Sequence, residues 1–276
     1  MPVNDDLGKR MKEYYEGIPK TKLMRRTPVM IRIDGKSFHT FTKGFKRPFD
    51  DILIKTMQDT TKYLCENIQG CVLGYTQSDE ITLVLVDYKK LNSAAWFDYE
   101  VQKMCSIAAS MATMAFNKTF SKNVCKFVDE TYKNQTHEEE RIYCGTLLKA
   151  MEKGAMFDAR VFNIPKEEVT NGIYWRQLDA SRNSVQMVGQ AYFSHKELQN
   201  KSCSNIQDML MEQKGINWND FPTYQKRGTC IIKEEYQSDE VDIKDGVCIR
   251  THWIIDKDIP IFKGEGREYI EKLINF

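Results

Sequence analysis

Hydrophobic and polar positions alternate along the N-terminal part of the chain in a way that predicts both strands and helices. The runs PVMIRI (28–33), CVLGY (71–75) and ITLVLV (81–86) are short, rich in β-branched residues and bounded by polar turns, which is typical of strands. The last two are separated by five residues and predict a hairpin. Between the first two runs, one apolar stripe at helical spacing predicts a helix: Leu53, Met57, Thr60 and Leu64.

A second, longer helix is predicted after the hairpin, with Asn92 or Ser93 as its cap. Its buried stripe consists of Phe97, Val101, Met104, Ala108, Met111 and Ala115. Residues 119–154 are less regular and carry the charged run HEEER. AMFDARVFNIP (155–165) predicts a fourth strand that proline ends. The chain after Pro165 is mostly helical, followed by a strand in GTCIIKEEY, a possible hairpin into VCIRTHWII and a short final helix.

The order strand, helix, strand, strand, helix, strand is the split βαβ, ferredoxin-like arrangement. We therefore expect an α+β fold in which a ferredoxin-like domain carries a mostly helical C-terminal half. Residues 1–165 would form this domain, and residues 166–276 would pack on it, with a soft boundary near 166.

Composition narrows the class of protein. With 276 residues, 41% of them hydrophobic, the chain can build a core without disulfides or metal. Its eight cysteines include no CxxC pair, which is typical of reduced thiols rather than of a disulfide framework or a zinc site. No apolar stretch approaches the roughly 18 residues that a membrane span requires. The first ten residues lack the pattern of an import signal, so we expect a cytosolic protein.

The net charge of +1 conceals a local basic field. Five basic residues surround one acid, Asp34, between positions 32 and 47: Arg32, Lys36, Lys43, Lys46 and Arg47. Such a field suits a bound polyphosphate, although a solvated basic loop has the same composition.

Two carboxylates are predicted to meet at one sheet edge. In this topology the first and second strands run parallel, so Asp34 at the end of the first lies near Asp79 in the turn after the second. Magnesium binds such a pair of hard oxygen ligands, and Gly35 can add a backbone carbonyl. Phosphate oxygens would then contact basic and hydroxyl side chains: Lys36, Ser37, Lys46, Arg47 and Ser78. Each motif alone also fits an ordinary polar turn.

Three functions fit these residues. They are a metal-dependent nucleotidyltransferase acting on RNA, a nucleotidyl cyclase, and a non-catalytic RNA-binding protein. The last predicts stacking aromatic residues in the central strands, which contain almost none. A second half rich in basic and amide residues favours a macromolecular substrate over the cyclase reaction.

The stretches RIDGKSFHTFTKGFKRPFDD (32–51) and GYTQSDEITLVL (74–85) resemble the tRNA-histidine guanylyltransferase family, including its Thg1-like branch of 3′-to-5′ polymerases. Further matches are DLGKRMKEYYE, FDARVFNIP, YWRQLDASRNS and the YQKRGT stretch at 224–229. Together they span most of residues 5–230. The resemblance implies that residues 1–165 form a polymerase-type catalytic palm and that residues 166–276 form an accessory region that interacts with tRNA. It further implies an enzyme that activates a tRNA 5′ end with ATP or GTP and adds nucleotides to it.

The resemblance also implies roles for single residues. Asp34, Asp79 and the Gly35 carbonyl would bind two magnesium ions, and Glu80 would join the two aspartates as a catalytic residue. The nucleotide site would consist of Asp34, Gly35, Lys36, Ser37, Phe38, His39, Arg47, Ser78, Asp79 and Lys103.

One segment separates the branches of the family. Enzymes dedicated to tRNA-His carry a His-Ile-Asn-Asn-type motif after Trp-Arg-Gln, where this chain has Asp-Ala-Ser-Arg-Asn-Ser (179–184). This favours template-dependent repair of 5′-truncated tRNAs over the addition of one G to tRNA-His. Candidate tRNA contacts are Arg176, Gln177, Arg182, Asn183, Lys226 and Arg227. Family resemblance further implies a homotetramer.

Overall fold

The structure of the protein is a computed structural model that describes residues 6–133, 138–238 and 248–275. Its strands are β1 Val29–Gly35, β2 Cys71–Gln77, β3 Glu80–Leu85, β4 Phe157–Asn163, β5 Thr229–Ser238 and β6 Cys248–Asp256. Its α-helices are α1 Asp6–Met11, α2 Phe38–Phe41, α3 Asp51–Asn67, α4 Val101–Lys133, α5 Glu138–Lys153, α6 Val169–Tyr192, α7 His195–Leu198, α8 Cys203–Lys214, α9 Thr223–Arg227 and α10 Glu268–Ile274.

The strands form one antiparallel sheet in the order β4-β1-β3-β2-β5-β6. Because β1 and β2 both pair antiparallel with β3, they run parallel to each other, as the sequence predicts. Helix α3 connects β1 to β2, and α4 and α5 lie between β3 and β4. The predicted hairpin of β5 and β6 is confirmed, and it extends the sheet beyond β2.

Three local predictions are wrong. The turn between β2 and β3 has two residues, Ser78 and Asp79, instead of five, so Glu80 begins a strand. The long helix starts at Val101, because Phe97 and its two successors have positive φ angles in the turn before it. The stretch 119–154 is helical in its described part, where α4 runs on to Lys133 and α5 follows.

Helices cover both faces of the sheet. Against one face, α3 and α4 build a core in which aromatic rings contact each other: Phe38, Phe41, Phe116, Phe120 and Phe157. Against the other face, apolar residues of α6 and α10 pack on Met30, Tyr75 and Val84. At the edge where β1 ends and the β2–β3 turn lies, Ser78 is exposed and Asp34, Gly35 and Asp79 are partly exposed.

Two expectations from composition can be compared with the structure. The cysteines at 65, 71, 105, 125, 144, 203 and 230 are free thiols. None of the helices described is both long and apolar enough to span a lipid bilayer.

Candidate active site

Asp34 and Asp79 lie side by side at the edge of the sheet, as the topology predicts. Asp34 is next to last in β1, and the Gly35 N–H donates a hydrogen bond to the Asp79 carbonyl (3.1 Å). Ser78, at φ 49° in the tight turn, donates from Oγ to Asp79 Oδ1 (3.0 Å). The backbone therefore holds two carboxylates together that are 45 positions apart in sequence.

The strand register places three carboxylates in one row. Asp34 on β1 is paired with Glu80 on β3 and with Asp158 on β4. Residues directly opposite in antiparallel strands point to the same face, which here is the face that α6 covers. The next row on this face pairs Arg32 with Arg160. The site thus consists of an acidic row at the sheet edge with a basic row behind it.

Burial and neighbouring acids raise the pKa of both aspartates. Burial is the largest cause for Asp79, whose pKa rises to about 6, and the charges of Asp34 and Glu80 add to the effect against the hydrogen bond from Ser78. The pKa of Asp34 is also raised, first by burial and then by Glu80 and Asp158. The ionised form of both carboxylates is therefore disfavoured in the folded chain, and a bound cation would stabilise it.

Glu80 has a different environment, because arginines neutralise it. Arg176, whose side chain is 5% exposed, lies 2.6 Å from Glu80 Oε2 and 2.8 Å from Asp179 Oδ2. Arg32 is 3.7 Å from the other Glu80 oxygen. Among the ion pairs found in the described residues, none includes Asp34 or Asp79. A site for a cation is therefore expected at the two aspartates rather than at Glu80.

The two aspartates and Gly35 are a donor set that suits magnesium. They supply two carboxylates and a backbone carbonyl, and hard cations of this kind prefer oxygen ligands. Within residues 6–133, 138–238 and 248–275, no group of three or more His, Cys, Asp or Glu side chains is arranged to hold a metal. The donor set is accordingly typical of an ion that shares its coordination with a phosphate substrate.

Gly35 is required where the chain turns away from β1. A Cβ at this position would lie 2.2 Å from the Phe38 ring, which is fixed in the aromatic core. Gly145 in α5 provides a matched contrast, since nothing lies within 4 Å of a Cβ there.

We expect Gly35→Ala to lower the free energy of unfolding by about 1–3 kcal/mol, the usual cost of overpacking a core. Gly145→Ala should be neutral or stabilise by up to about 1 kcal/mol, because alanine favours helix. Urea unfolding of both variants measures the difference. Equal values for the two variants would show that the Phe38 ring moves away at no cost.

The loop after β1 presents most of its predicted nucleotide-binding residues to solvent. Lys36, Ser37 and His39 are exposed, and the Lys36 N–H is fixed by the Met156 carbonyl (2.8 Å). Phe38 is the exception, because its ring is 5% exposed and lies in the core. The Phe38 ring therefore anchors the loop, and the place of Phe38 in the nucleotide site stays a prediction.

A cleft next to the hairpin turn joins the two halves of the chain. Gln77 at the end of β2 and Ser78 in the turn line it on one side, and Asn183 and Ser184 line it from α6. Further lining residues lie before and in α3 and in α9: Phe49, Asp50, Leu53, Tyr224 and Gln225. The structure thus brings Ser78, predicted to bind nucleotide, together with Asn183, predicted to bind tRNA.

Two predicted phosphate contacts lie elsewhere. Arg47 lines a separate cavity with Gln190, His195 and Lys201. Lys103 is in the first turn of α4, and its Nζ lies 4.8 Å from the centre of the Phe97 ring. The part of α4 that contacts Phe157, the β4 partner of Gly35, is at Thr113, roughly 15 Å further along the helix. Within one chain, neither residue joins Asp34 and Asp79 in a common cleft.

Lys46, another predicted phosphate contact, has its side chain against a helix. Its Nζ lies 4.8 Å from the centre of the Tyr143 ring, so this side chain faces α5.

Half of the predicted tRNA contacts are buried. Arg176 is held by Glu80, and the Gln177 amide donates to the Pro260 carbonyl (2.8 Å) and accepts from the Phe262 N–H (3.0 Å). Lys226 Nζ donates to a backbone carbonyl and is only 9% exposed as a residue. All three side chains have partners within the protein, and their contact with tRNA stays a prediction.

Arg182 is exposed and Asn183 and Arg227 are partly exposed, so their contact with tRNA stays a prediction.

The sequence analysis assigns no site role to Arg160 or Trp175 and places Arg32 only in the basic field. Arg32 and Arg160 lie on the basic row, and Trp175, one residue before Arg176, is 55% exposed with Arg32 over its ring. A signal existed for Arg32, because residues two apart on a strand share a face and Asp34 follows it by two. Trp175 had no such signal, since its contact with β1 depends on how α6 packs.

Comparisons relate the chain to known proteins. Residues 8–165 match the family model described as tRNAHis guanylyltransferase. Two solved structures of a bacterial tRNA(His) guanylyltransferase (Thg1)-like protein are similar along almost the whole length. The complex with ATP is 41% identical, with TM-score 0.77 over 97% of this chain and 98% of that one. The complex with GTP is 38% identical, with TM-score 0.76 over 99% of this chain and 100% of that one. The tRNA(His) guanylyltransferase of Debaryomyces hansenii is 24% identical over 77% of this chain and 76% of its own.

Proposed function

Since the chain belongs to the tRNA-His guanylyltransferase family, whose members are nucleotidyltransferases acting on the tRNA 5′ end, we propose that it repairs 5′-truncated tRNAs. It would add nucleotides in the 3′-to-5′ direction and copy the opposite strand of the acceptor stem. The observation that carries this proposal is the cleft in which Ser78, the neighbour of Asp79 in the hairpin turn, meets segment 179–184. By the resemblance, this segment stands where enzymes dedicated to tRNA-His carry their own motif.

Similarity favours the same branch. The chain is 41% and 38% identical to the Thg1-like protein of the two complexes, and 24% identical to the Debaryomyces hansenii guanylyltransferase. The second candidate, addition of a single G to tRNA-His, is supported by the family model itself, whose description names that activity.

The sheet supports a polymerase-type palm. Strands β1 to β4 have the order 4-1-3-2, and α3 and α4 pack on one face, which supports the proposed ferredoxin-like arrangement. The two aspartates lie at the edge of the opposite face, where a duplex end can approach past α6. We propose residues 1–165 as the catalytic region on this basis.

Magnesium is the proposed cofactor, held by the Asp34 and Asp79 carboxylates and the Gly35 carbonyl. When bound, it would neutralise charge on the phosphates of the substrate. Lys36 and the hydroxyls of Ser37 and Ser78 would bind the triphosphate oxygens of ATP or GTP. Each of these groups is exposed at the sheet edge, so substrate binding needs no rearrangement of the core.

Asp79 should make wild-type stability depend on both pH and magnesium. A carboxyl whose pKa is raised from 3.8 to about 6 binds its proton more tightly in the folded chain, so its stabilisation is complete below pH 4 and is lost as pH rises through 6. In the presence of a chelator, the free energy of unfolding of Asp79→Asn should equal that of wild type at pH 4 and exceed it by about 1–3 kcal/mol at pH 7.

Urea unfolding at several pH values measures this difference, because titrating groups other than the coupled neighbours Asp34 and Glu80 cancel between wild type and variant. Millimolar Mg²⁺ at pH 7 should then stabilise wild type but not the variant. Equal stabilisation of both proteins would show that the ion binds elsewhere.

The decisive experiment is nucleotide addition to a tRNA that lacks its first nucleotides, with Mg²⁺ and all four nucleotides. Additions that match the template strand, and that change when the template strand is changed, would support the repair function. A single G added only to tRNA-His would select the second candidate. Pyrophosphate release from a free nucleotide without any addition would instead indicate a cyclase.

A further inference from the structure

Trp175 is a large aromatic side chain exposed at the active site without an assigned role. It lies on α6 beside the basic row of the sheet, and 55% of its surface is open to solvent. A tryptophan this exposed loses the free energy of burial that the side chain would otherwise provide. Its position next to a nucleic-acid site suggests that a ligand covers it.

Two arginines hold the indole in place. Arg32 Cζ lies 5.2 Å and Arg176 Cζ 4.4 Å from the ring centre. Both guanidinium groups are also paired with Glu80, at 3.7 and 2.6 Å, and so have little freedom to move. The Arg176 Nε is buried without a hydrogen-bond partner. The result is an aromatic side chain with positive charge over its ring and more than half of its surface still open to solvent, a combination that can stack a nucleobase.

The direction of β1 indicates which of the two substrates, the incoming nucleotide or the tRNA, would supply the stacked base. Along the strand, Arg32 comes first, then Asp34, and the loop with Lys36 and Ser37 follows. The proposed triphosphate contacts are therefore on the loop side of Asp34, and Trp175 is on the strand side, about two residues or 6–7 Å back. In a phosphoryl transfer, the nucleotide and the RNA 5′ end must approach Asp34 and Asp79 from different directions. The nucleotide would lie on the loop side, so the indole on the strand side is available to the RNA end.

We propose that Trp175 stacks the base of the 5′-terminal nucleotide of the tRNA and so positions its phosphate at Asp34. Arg160, 62% exposed in its side chain and 3.6 Å from Asp158, would contact the RNA backbone on the same side. This inference rests on the proposed function, because it assigns the RNA-end subsite of that reaction.

Steady-state addition by Trp175→Ala and Trp175→Phe tests the proposal. Loss of one stacked base should raise KM for the truncated tRNA about 5- to 150-fold and leave KM for the added nucleotide unchanged. Phenylalanine should retain most of the wild-type value, because it keeps an aromatic face. The matched control is Tyr132→Ala on α4, an exposed aromatic with Arg141 Cζ at 6.0 Å, which should change neither constant.

Intrinsic fluorescence provides a readout that does not need turnover. A short RNA hairpin with a 5′-monophosphate should quench wild type more than Trp175→Phe, which retains Trp96, Trp218 and Trp253. Quenching without any nucleotide addition by wild type would leave the stacking site in place and reject the proposed function. An increase in KM for the nucleotide instead of the tRNA, or equal quenching of both proteins, would overturn the proposal.

Discussion

Asp79→Asn and Asp34→Asn should each reduce nucleotide addition at least about 10³-fold while the fold is retained. Each substitution removes one of two charges that would hold the metal, and the charge stabilisation that a metal provides in the transition state is several kcal/mol. Since each 1.36 kcal/mol is a factor of ten in rate, a loss of this size follows. The fold is expected to survive because neither carboxylate has an ion-pair partner among the described residues, and the raised pKa of each shows that its charge is unfavourable there.

Asp158→Asn is the matched control for this loss. Asp158 is the partner of Asp34 on β4, on the same face and in the same row, with a side chain that is 56% exposed. It is not among the proposed metal ligands, so its activity should stay within a few-fold of wild type. Single-turnover addition to a pre-activated 5′ end measures all three variants. Equal losses at Asp158 and Asp79 would mean that the acidic row acts through its overall charge and that the hairpin turn has no special role.

The sequence could predict the meeting of Asp34 and Asp79 because it depends only on strand order. The apolar runs identify β1, β2 and β3, and the helical stripe between the first two requires a crossover that leaves β1 and β2 parallel. The parallel arrangement of β1 and β2 does not depend on the exact residues of the turn. Asp34 and Asp79 therefore meet although the turn has two residues instead of five.

The site of Glu80 could not be predicted in the same way. Thr76, Gln77 and Glu80 are polar and were assigned to the turn, but Thr76 and Gln77 are buried in β2, and Glu80 lies in β3. What buries this end of the hairpin is α6, almost 100 residues later, whose Arg176 pairs with Glu80. The protein partners of Gln177 could not be predicted for the same reason, since residues 260 and 262 are distant from it in sequence.

The described part of 119–154 was predictable and was missed. The buried positions of α4 continue at helical spacing as Ala112, Phe116, Phe120 and Val124, so the stripe that starts at Met104 extends beyond residue 119. The run HEEER, which interrupted the pattern, lies partly outside the described residues, and its described part begins α5. The tetramer, the cytosolic location and the contacts of Arg47 and Lys103 with triphosphate remain predictions.

Arg176→Met should lower the free energy of unfolding by about 3–5 kcal/mol, the usual cost of removing one partner of a buried ion pair. Arg176 is 5% exposed in its side chain and pairs with both Glu80 and Asp179. Methionine fills much of the same space, so the loss comes from uncompensated negative charge. Urea unfolding at pH 7 measures it. Adding Glu80→Gln to the variant should recover most of the loss, because the amide removes the buried charge.

Arg182→Met separates this structural role from a role in binding tRNA. Arg182 is on the same helix and 3.4 Å from the same Asp179 carboxylate, but its side chain is 61% exposed. A pair so exposed contributes about 0–1 kcal/mol, so this variant should unfold nearly as wild type does. Its tRNA affinity should fall, with a weaker dependence on salt, if Arg182 contacts a phosphate. The opposite result, in which Arg176→Met is as stable as wild type but loses affinity for tRNA, would show that Arg176 leaves Glu80 to bind RNA, as the sequence alone suggests.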